Sequence, residues 1–267
     1  MKILFVGDVV GQLGRNMLEN YLHRLVSKYK PQVNIVNGEN STDRGRGISE
    51  KIYKLFMQLG ADVVTLGNHA FDNDEIFDFI DRSKKLVRPA NFPEETTPGQ
   101  GLIYLNINQT KLAVINLQGT ALMQNLDDPF IAAEKLVEQA RQHTPNIFID
   151  FHAETTSEKQ AMAHFLDGRV SAVIGTHTHV QTNDARVLPG GTAFLTDVGM
   201  TGPADSIIGM KKEDVLRRYV TKLPTRFNVQ ENGPGILSAC IIEIEEETGK
   251  AISIKNVVIS DDQPFFD

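Results

Sequence analysis

Short apolar runs alternate with stretches of helical periodicity over the first two-thirds of the chain. Five of the runs, ILFV, VNIVN, DVVTL, NIFID and AVI, have the length and the β-branched character of buried strands. Between them, apolar residues recur at helical spacing, which predicts helices near Arg15–Lys30, Ser49–Leu59, Asn73–Lys84, Pro129–Gln142 and Ser157–Leu166. Such alternation predicts a largely parallel sheet with helices on its faces.

The last third of the chain is predicted to be richer in strands. Its strand-like runs are ARVLP, TAFLTD, ILSACIIEIEEE and KAISIKNVVIS, with Glu-Thr-Gly-Lys as a hairpin turn between the last two. The earlier runs GLIYLNI and KLAVINL also have the pattern of a hairpin, and KKEDVLRRYV has that of a short helix. No linker or internal repeat divides the sequence, so residues 1–267 are predicted to form a single domain.

Each of the five apolar runs ends at side chains of the types that bind metal ions. The endings are Gly7-Asp8, Gly38-Glu39-Asn40, Gly67-Asn68-His69, Phe151-His152 and Gly175-Thr176-His177-Thr178-His179. Open α/β sheets hold their ligands at the carboxyl ends of the strands, so these side chains are expected to meet. The candidate metal ligands are Asp8, Glu39, Asn40, Asn68, His152, His177 and His179. Because this set is too large for one ion, it predicts two cations that share a bridging carboxylate.

The mixture of ligand types indicates which cations and which chemistry the site would suit. Imidazole, amide and carboxylate ligands without sulfur suit Mn, Fe, Zn or Ni rather than a purely oxygen-liganded Mg or Ca site. The residues do not choose among these metals; Fe or Mn is our expectation, with Zn, Ni or Mg as alternatives. His177 and His179 stand two positions apart, so on an extended strand end both rings point to one side and could serve one metal each. A metal pair would activate a shared water as hydroxide, and phosphorus esters suit such a site because their anionic oxygens bind between cations.

His69 directly follows the candidate ligand Asn68 and is predicted to face the substrate. Its expected role is that of a general acid that protonates the leaving oxygen. Asp72 is close enough in sequence to raise the pKa of His69, but its spacing to Glu75 also fits a helix capping box. Because the capping box is a sufficient structural reason for Asp72, this residue is not counted in the predicted site.

Composition narrows the class of protein. The formal charge of −7 argues against a stable complex with long nucleic acid, but it does not exclude a small anionic substrate. Cys240 is the only cysteine, which excludes an intramolecular disulfide and a zinc–thiolate cluster and fits a reducing cytoplasm. No apolar stretch approaches the ~20 residues that span a bilayer, so no membrane contact is expected. The charged Asp8 near the start indicates a first strand rather than a signal peptide.

The order of these endings resembles the calcineurin-like metallophosphoesterase superfamily. The resemblance is carried by Asp8 after a first strand, a Gly-Asn-His loop, a lone downstream His152 and the closing His177-x-His179. The sequence departs from the usual superfamily pattern at three places. Val10 stands where a histidine is usual, Glu39 where an aspartate is usual, and Ala70 where an acid usually follows the histidine.

With these departures, the sequence is similar to a narrower group, the YmdB-like bacterial phosphodiesterases. The shared segments run through the whole chain: GDVVGQLGR, GENSTDRGRGI, GNHAFD, DFHAETTSEK, GTHTHVQT, TDVGMTGP and SIIGMKKE. The resemblance implies a four-layer α/β/β/α sandwich with two packed β-sheets. It implies Glu39 as the bridging ligand, the other six candidates as the remaining ligands and His69 as the catalytic histidine. It also implies a phosphodiesterase acting on small cyclic nucleotides, the 2′,3′-cyclic type being favoured, and a homo-oligomer, for which four chains are our expectation.

Two other functions remain open at this stage. The same metals could support a phosphomonoesterase or nucleotidase, or the chain could be a regulatory nucleotide-binding or protein-binding module with weak catalysis or none. Three arginines near the predicted site, Arg15, Arg44 and Arg46, are interpreted as solvated charges rather than as substrate contacts. The glycine-rich segment Asp197–Pro203 could wall the pocket, although turn formation alone would explain it.

Overall fold

A computed structural model describes residues 1–265, so the last two positions of the predicted domain lie outside the described residues. The strands are β1 (Lys2–Val6), β2 (Val33–Asn37), β3 (Val63–Thr65), β4 (Leu86–Val87), β5 (Leu102–Ile107), β6 (Thr110–Gln118), β7 (Ile147–His152), β8 (Ala172–Thr176), β9 (Arg186–Val187), β10 (Ala193–Leu195), β11 (Gly202–Pro203), β12 (Gly235–Ile244) and β13 (Ala251–Ile259). The α-helices are α1 (Gly11–Tyr29), α2 (Glu50–Leu59), α3 (Ile76–Phe79), α4 (Pro129–Arg141), α5 (Thr156–Phe165) and α6 (Lys212–Thr221). None of these helices is both long enough and apolar enough to cross a membrane.

The strands form two mixed sheets. In the first, β1 to β4 are parallel and the antiparallel strands lie on the β12 side only; the second has a parallel centre with an antiparallel strand at each edge. In the first sheet the order is β11-β12-β1-β2-β3-β4, with β13 paired to β12. In the second sheet the order is β5-β6-β7-β8-β10-β9. The pairs β1/β2 and β2/β3 are parallel in the first sheet, as are β6/β7 and β7/β8 in the second. The alternating part of the sequence thus supplies the parallel strands, and both predicted hairpins are confirmed as antiparallel pairs.

Three apolar cores separate four layers of secondary structure. Alternate side chains of β1 point to opposite sides: Leu4 and Val6 pack in the core beneath α1 and α2, whereas Ile3 and Phe5 face the second sheet. The ring of Phe5 meets that of Phe148 at 5.0 Å between centroids, edge to face. A further core lies between the second sheet and helices α4 and α5. The predicted α/β/β/α sandwich with two packed sheets is confirmed.

The helix expected near Asn73–Lys84 is wrong in extent. The chain forms only the single α-helical turn α3, followed by a 3₁₀ turn at Ile80–Arg82. The capping box on which that prediction rested is absent, because Asp72 bonds to the His69 ring instead. Glu75, the other half of the expected box, accepts a hydrogen bond from the backbone N–H of Glu50 at the start of α2. Other partners therefore engage both carboxylates that the spacing assigned to a cap: a local imidazole for Asp72 and a distant backbone N–H for Glu75.

Candidate metal centre

The candidate ligands lie where the parallel strands of the two sheets end. Asp8 follows β1, Glu39 and Asn40 follow β2, and Asn68 follows β3, all in the first sheet. His152 is the last residue of β7, and His177 and His179 follow β8, both in the second sheet. Because the parallel strands of each sheet end on the same side, the packing of the sheets brings the two sets of side chains together.

Three of the candidates converge on the Nε2 atom of a fourth, His152. Glu39 Oε1 lies 3.1 Å from this nitrogen, Asn68 Oδ1 lies 2.8 Å from it and His177 Nδ1 lies 3.0 Å from it. Donor atoms of Glu39, His152 and His177 all lie within 4.8 Å of one another. Donor atoms gathered so closely around one point form the kind of set that holds a divalent cation.

The other three candidates, Asp8, Asn40 and His179, lie next to this group, and Asp8 makes the contacts to it. Asp8 Oδ1 lies 3.8 Å from His152 Nδ1, and Oδ2 accepts a hydrogen bond from the backbone N–H of His177 at 3.3 Å. His179 Nε2 lies 3.3 Å from Asn40 Oδ1, and its charged form would lower the pKa of Asp8. The structure therefore brings all seven predicted ligand residues into one cluster, while their binding of metal stays a prediction.

Asp8 provides an independent test of whether a cation fits. Its side chain is fully buried, and Oδ1 has no hydrogen-bond partner among the described residues. Burial raises the pKa of this carboxyl above its ordinary value. A buried carboxylate oxygen without a partner is costly in a folded protein, and a cation would satisfy it. The cluster fits a metal on this ground as well as by its donor types.

The charges within the cluster strongly affect one another. Burial would lower the pKa of His152, but the neighbouring Glu39 and Asp8 carboxylates raise it to about 9. Burial would raise the pKa of Glu39, but contact with His152 lowers it to about 2. Burial and the adjacent His152 lower the pKa of His177 to about 3. His177 is therefore held as the neutral imidazole, which is the form that ligates a metal.

A buried hydrogen-bond chain, which sequence reasoning missed, orients His152. The hydroxyl of Thr176 donates to Asp150 Oδ1 at 2.7 Å, so it is free to accept from His152 Nδ1, 2.9 Å away. This arrangement places a proton on Nδ1 and turns Nε2 toward Glu39. Asp150 also accepts hydrogen bonds from Asn37 and Thr65. The available signal was an acid inside the otherwise apolar run NIFID.

His69 lies at the mouth of the cluster. Its Nδ1 is 2.8 Å from Asp72 Oδ2, and its backbone N–H donates to Glu39 Oε2 at 3.1 Å. Both His69 and Asp72 line a cavity of about 300 Å³, together with Asn68, His177 and residues 122–124. Asp72 is therefore a site residue that the sequence interpretation left out, and it orients the His69 ring.

Two further acids hold the His177–His179 loop, and sequence reasoning did not place either in the site. Glu154 Oε2 lies 3.0 Å from His177 Nε2, which leaves Nδ1 facing the cluster. Asp197 Oδ2 accepts hydrogen bonds from the backbone N–H and the hydroxyl of Thr178, at 3.0 and 2.8 Å. The same oxygen lies 2.7 Å from Nζ of the fully buried Lys159. Segment Asp197–Pro203 thus anchors the loop through its first residue.

This anchoring matters because the loop is strained. His177 and His179 have φ angles of 100° and 65°, in the left-handed region that non-glycine residues rarely adopt. Such conformations persist only where the surrounding contacts impose them, and they are concentrated at functional sites. The hydrogen bonds that Thr178, between the two histidines, donates to Asp197 hold the loop in this conformation.

Arg15 is not a solvated charge, contrary to the sequence interpretation. Its guanidinium is buried, donates to the carbonyl oxygen of Ser41 and pairs with Asp43 at 2.6 Å. It therefore fixes the loop that follows Asn40. Arg44 and Arg46 are exposed, as expected.

Known proteins resemble this chain in sequence and in fold. The sequence model of the YmdB-like proteins matches residues 4–257. The 2′,3′-cyclic-nucleotide 2′-phosphodiesterase of Bacillus subtilis (strain 168) is 55% identical over 267 residues, which cover all of both chains. A protein of Thermus thermophilus, described as hypothetical, is 40% identical with a TM-score of 0.90, over 97% of this chain and 99% of that one. A phosphatase structure from Mycoplasma pneumoniae is 35% identical with a TM-score of 0.92, over 97% and 93% of the two chains.

The similarity to these relatives extends over nearly the full length of each, so it includes every strand end that carries a candidate ligand. The resemblance first drawn from the motifs is confirmed, and the chain belongs to the YmdB-like family.

Proposed function

We propose that this chain is a metal-dependent phosphodiesterase that hydrolyses 2′,3′-cyclic nucleotides. The observation that carries the proposal is the cluster of carboxylate, amide and imidazole groups beneath a cavity of about 300 Å³ that His69 lines. A relative named for this activity shares 55% of its residues with the chain. A cavity of this size is at the low end of the range for small-molecule sites, which suits a cyclic nucleotide.

Two divalent cations are proposed as cofactors. The imidazole, amide and carboxylate donors suit Fe, Mn, Zn or Ni, and Fe or Mn is our proposal, with Zn, Ni or Mg as the alternatives. Glu39, Asn68, His152 and His177 would hold one cation, and Asp8, Asn40 and His179 would hold the other, with Glu39 shared. When bound, the cations supply positive charge at the phosphate and make a nearby water more acidic.

His69 is proposed as the general acid. A water oxygen forms a bond to phosphorus and gives up one proton to solvent, the bond from phosphorus to the ribose 2′ oxygen breaks, and His69 gives its proton to that oxygen. His69 then takes a proton back from solvent before the next turnover. Asp72 Oδ2, 2.8 Å from His69 Nδ1, would hold the ring and leave its Nε2 atom free to act on the substrate. Asn68, on the cavity wall, is placed to donate its amide to a phosphoryl oxygen.

Turnover of 2′,3′-cyclic AMP by the purified protein tests the proposal, with 3′-AMP as the expected product by chromatography. His69→Ala should lower kcat by about 10²–10⁴ and leave the metal content unchanged. His23→Ala, on the exposed side of α1, is the matched control and should keep the wild-type rate. A His69→Ala enzyme with wild-type turnover would remove the general-acid role.

Two artificial substrates separate the remaining alternatives. The enzyme should turn over bis-p-nitrophenyl phosphate faster than p-nitrophenyl phosphate. A clear preference for the monoester would indicate a phosphomonoesterase. Binding of cyclic nucleotides without turnover of any of these compounds would indicate a regulatory module.

The proposal extends to the state of the protein in the cell: a single-domain homo-oligomer of four chains in the cytoplasm. Exposed apolar side chains on α6 support self-association, since Leu216, Tyr219 and Val220 are 53%, 67% and 78% exposed. The lone, buried Cys240 is compatible with a reducing compartment. Light scattering after size exclusion tests the chain number, and cell fractionation tests the location.

A further inference from the structure

We infer that the preferred substrate is the 3′ end of a short single-stranded RNA fragment that carries the 2′,3′-cyclic phosphate. The nucleotides on its 5′ side would lie in a cleft lined by arginines beside His69. This inference rests on the proposed function and deepens it, because it concerns what the same site selects. A free cyclic mononucleotide would then be a minimal substrate that leaves this cleft unused.

The arginine cleft, as we call it, has a volume of about 1090 Å³ and is lined by Arg44, Arg46, Arg218 and Arg226. The first two follow β2 in the loop that carries Asn40, and the other two come from α6 and from the loop after it. All four guanidinium groups belong to exposed residues. Phosphate oxygens are the ligands that such a group of planar cations binds best.

The positive charge of the cleft is not cancelled by the acids around it. Asp43 is paired with Arg15 at 2.6 Å, and Asp72 is bonded to His69 at 2.8 Å. Arg44, Arg218 and Arg226 have no ion-pair partner within residues 1–265. In a chain of net charge −7, such a concentration of cations needs an anionic ligand to account for it.

The cleft continues directly from the catalytic cavity. Asp72 lines both, and its Oδ2 atom lies 2.8 Å from His69 Nδ1 and 3.9 Å from Arg46 Nη1. A chain whose terminal phosphate lies by His69 therefore passes over Asp72 and meets Arg46 first. Phosphates further along the chain come within reach of the arginines from α6 and its following loop.

Phe227 favours nucleic acid over an acidic peptide as the occupant. This side chain lines the cleft and is 41% exposed, among the guanidinium groups. Exposed aromatic rings and arginine planes are the surfaces on which unpaired bases stack. The negative charge of the rest of the chain limits the ligand to a short fragment, because longer nucleic acid would be repelled beyond the cleft.

The first test compares kcat/KM for 2′,3′-cyclic AMP with that for a tetranucleotide ending in the same cyclic nucleotide. We expect at least a tenfold preference for the tetranucleotide at 50 mM KCl. If its three internal phosphates are all contacted, raising KCl to 200 mM should reduce that preference by up to about 20-fold. Equal kcat/KM values at 50 mM KCl would overturn the inference and leave the proposed function intact. Turnover of neither substrate would instead refute the proposed function.

The second test removes the two cleft charges that α6 and the loop after it supply. In Arg218→Ala/Arg226→Ala, the ratio of the two kcat/KM values should fall at least fivefold. Arg217→Ala, exposed on the same helix but outside the cleft, should keep the wild-type ratio. Arg226→Lys should retain most of the preference, because the charge is kept. A ratio in the double variant equal to that of Arg217→Ala would overturn the assignment of the cleft.

A binding measurement gives a readout that does not depend on turnover. The probe is a 5′-fluorescein tetranucleotide with a 3′-phosphate, which has no cyclic phosphate to hydrolyse; it is titrated with the metal-loaded protein and followed by fluorescence anisotropy. Wild-type and Arg217→Ala proteins should bind it with the same Kd, and the double variant should bind at least fivefold more weakly. Equal affinity of all three proteins would contradict the inference.

Discussion

Lys159 and Asp197 form a buried ion pair near the site. Removing either partner alone should destabilise the fold, but by clearly different amounts. Asp197→Asn keeps the shape of the side chain but leaves the Lys159 ammonium, which is fully buried, without its only ion-pair partner in residues 1–265. Lys159→Met leaves an Asp197 carboxylate that still accepts from Thr178 and from the backbone N–H of Gly199. Asp197→Asn therefore leaves a buried charge without an ion-pair partner, whereas Lys159→Met leaves a buried charge that keeps its other hydrogen bonds.

The expected loss of unfolding free energy in each variant follows from the partners that the remaining charge keeps. Stranding a buried charge by removing its partner costs about 3–5 kcal/mol, which is the expectation for Asp197→Asn. Losing one hydrogen bond to a charge that keeps its other donors costs about 1.5–3 kcal/mol, which is the expectation for Lys159→Met. Because a protein of this kind has a total stability of about 5–15 kcal/mol, both effects should be measurable. The double variant should be more stable than Asp197→Asn alone, since no ammonium is left buried.

Urea denaturation of the metal-free proteins, followed by circular dichroism, measures these differences as shifts of midpoint at constant slope. Lys51→Met, an exposed lysine on α2, is the matched control and should change stability by no more than about 0.5 kcal/mol. If Lys159→Met destabilises as much as Asp197→Asn, or the double variant is no better than Asp197→Asn, the reasoning from stranded charge fails.

Three further predictions concern the site and the core. A Cβ atom at Gly67 would lie 2.2 Å from Glu39 Oε2 and 2.5 Å from the His152 ring, so Gly67→Ala should lose bound metal with its circular dichroism unchanged. Gly233→Ala strains a backbone with φ of 111° but its Cβ meets nothing within 4 Å, so it should keep the metal; loss in both or in neither would contradict the steric cause. Exhaustive chelation should abolish phosphodiesterase activity and Mn²⁺ or Fe²⁺ should restore it, whereas an unchanged rate after chelation would refute metal dependence. Burial raises the pKa of the Cys240 thiol, so Ellman's reagent should react with it only in denatured protein, and rapid reaction of the native protein would count against this burial.

Much of the candidate site could be predicted because strand endings are local in sequence. A short apolar run followed by a glycine and an acid, amide or histidine marks the carboxyl end of a strand. Parallel pairing then brings Asp8, Glu39 and Asn68 to one edge without any knowledge of the tertiary fold. The meeting of these groups with His152 and His177 depends on the packing of a second sheet, which only the family resemblance implied.

The supporting residues could not be predicted, because their partners are distant in sequence or compete with local rules. Lys159 reads as an ordinary helix lysine, yet its partner lies 38 positions away in the chain. Asp72 fits both a capping-box spacing and a contact with the His69 ring three positions earlier, and the sequence does not decide between them; the structure has the contact with His69. Arg15 stands in an exposed-looking first turn and is buried only because the loop after β2 folds over it.

The division of the candidate ligands between two sheets has a mechanical consequence. Asp8 and Glu39 belong to one sheet and His152 and His177 to the other, so an ion held between them would act as a clamp across the middle of the sandwich. Free metal at 100 times its Kd would then raise the unfolding free energy by about 2.7 kcal/mol. The concentration of free metal would then set the protein's resistance to heat and proteolysis as well as its catalytic rate.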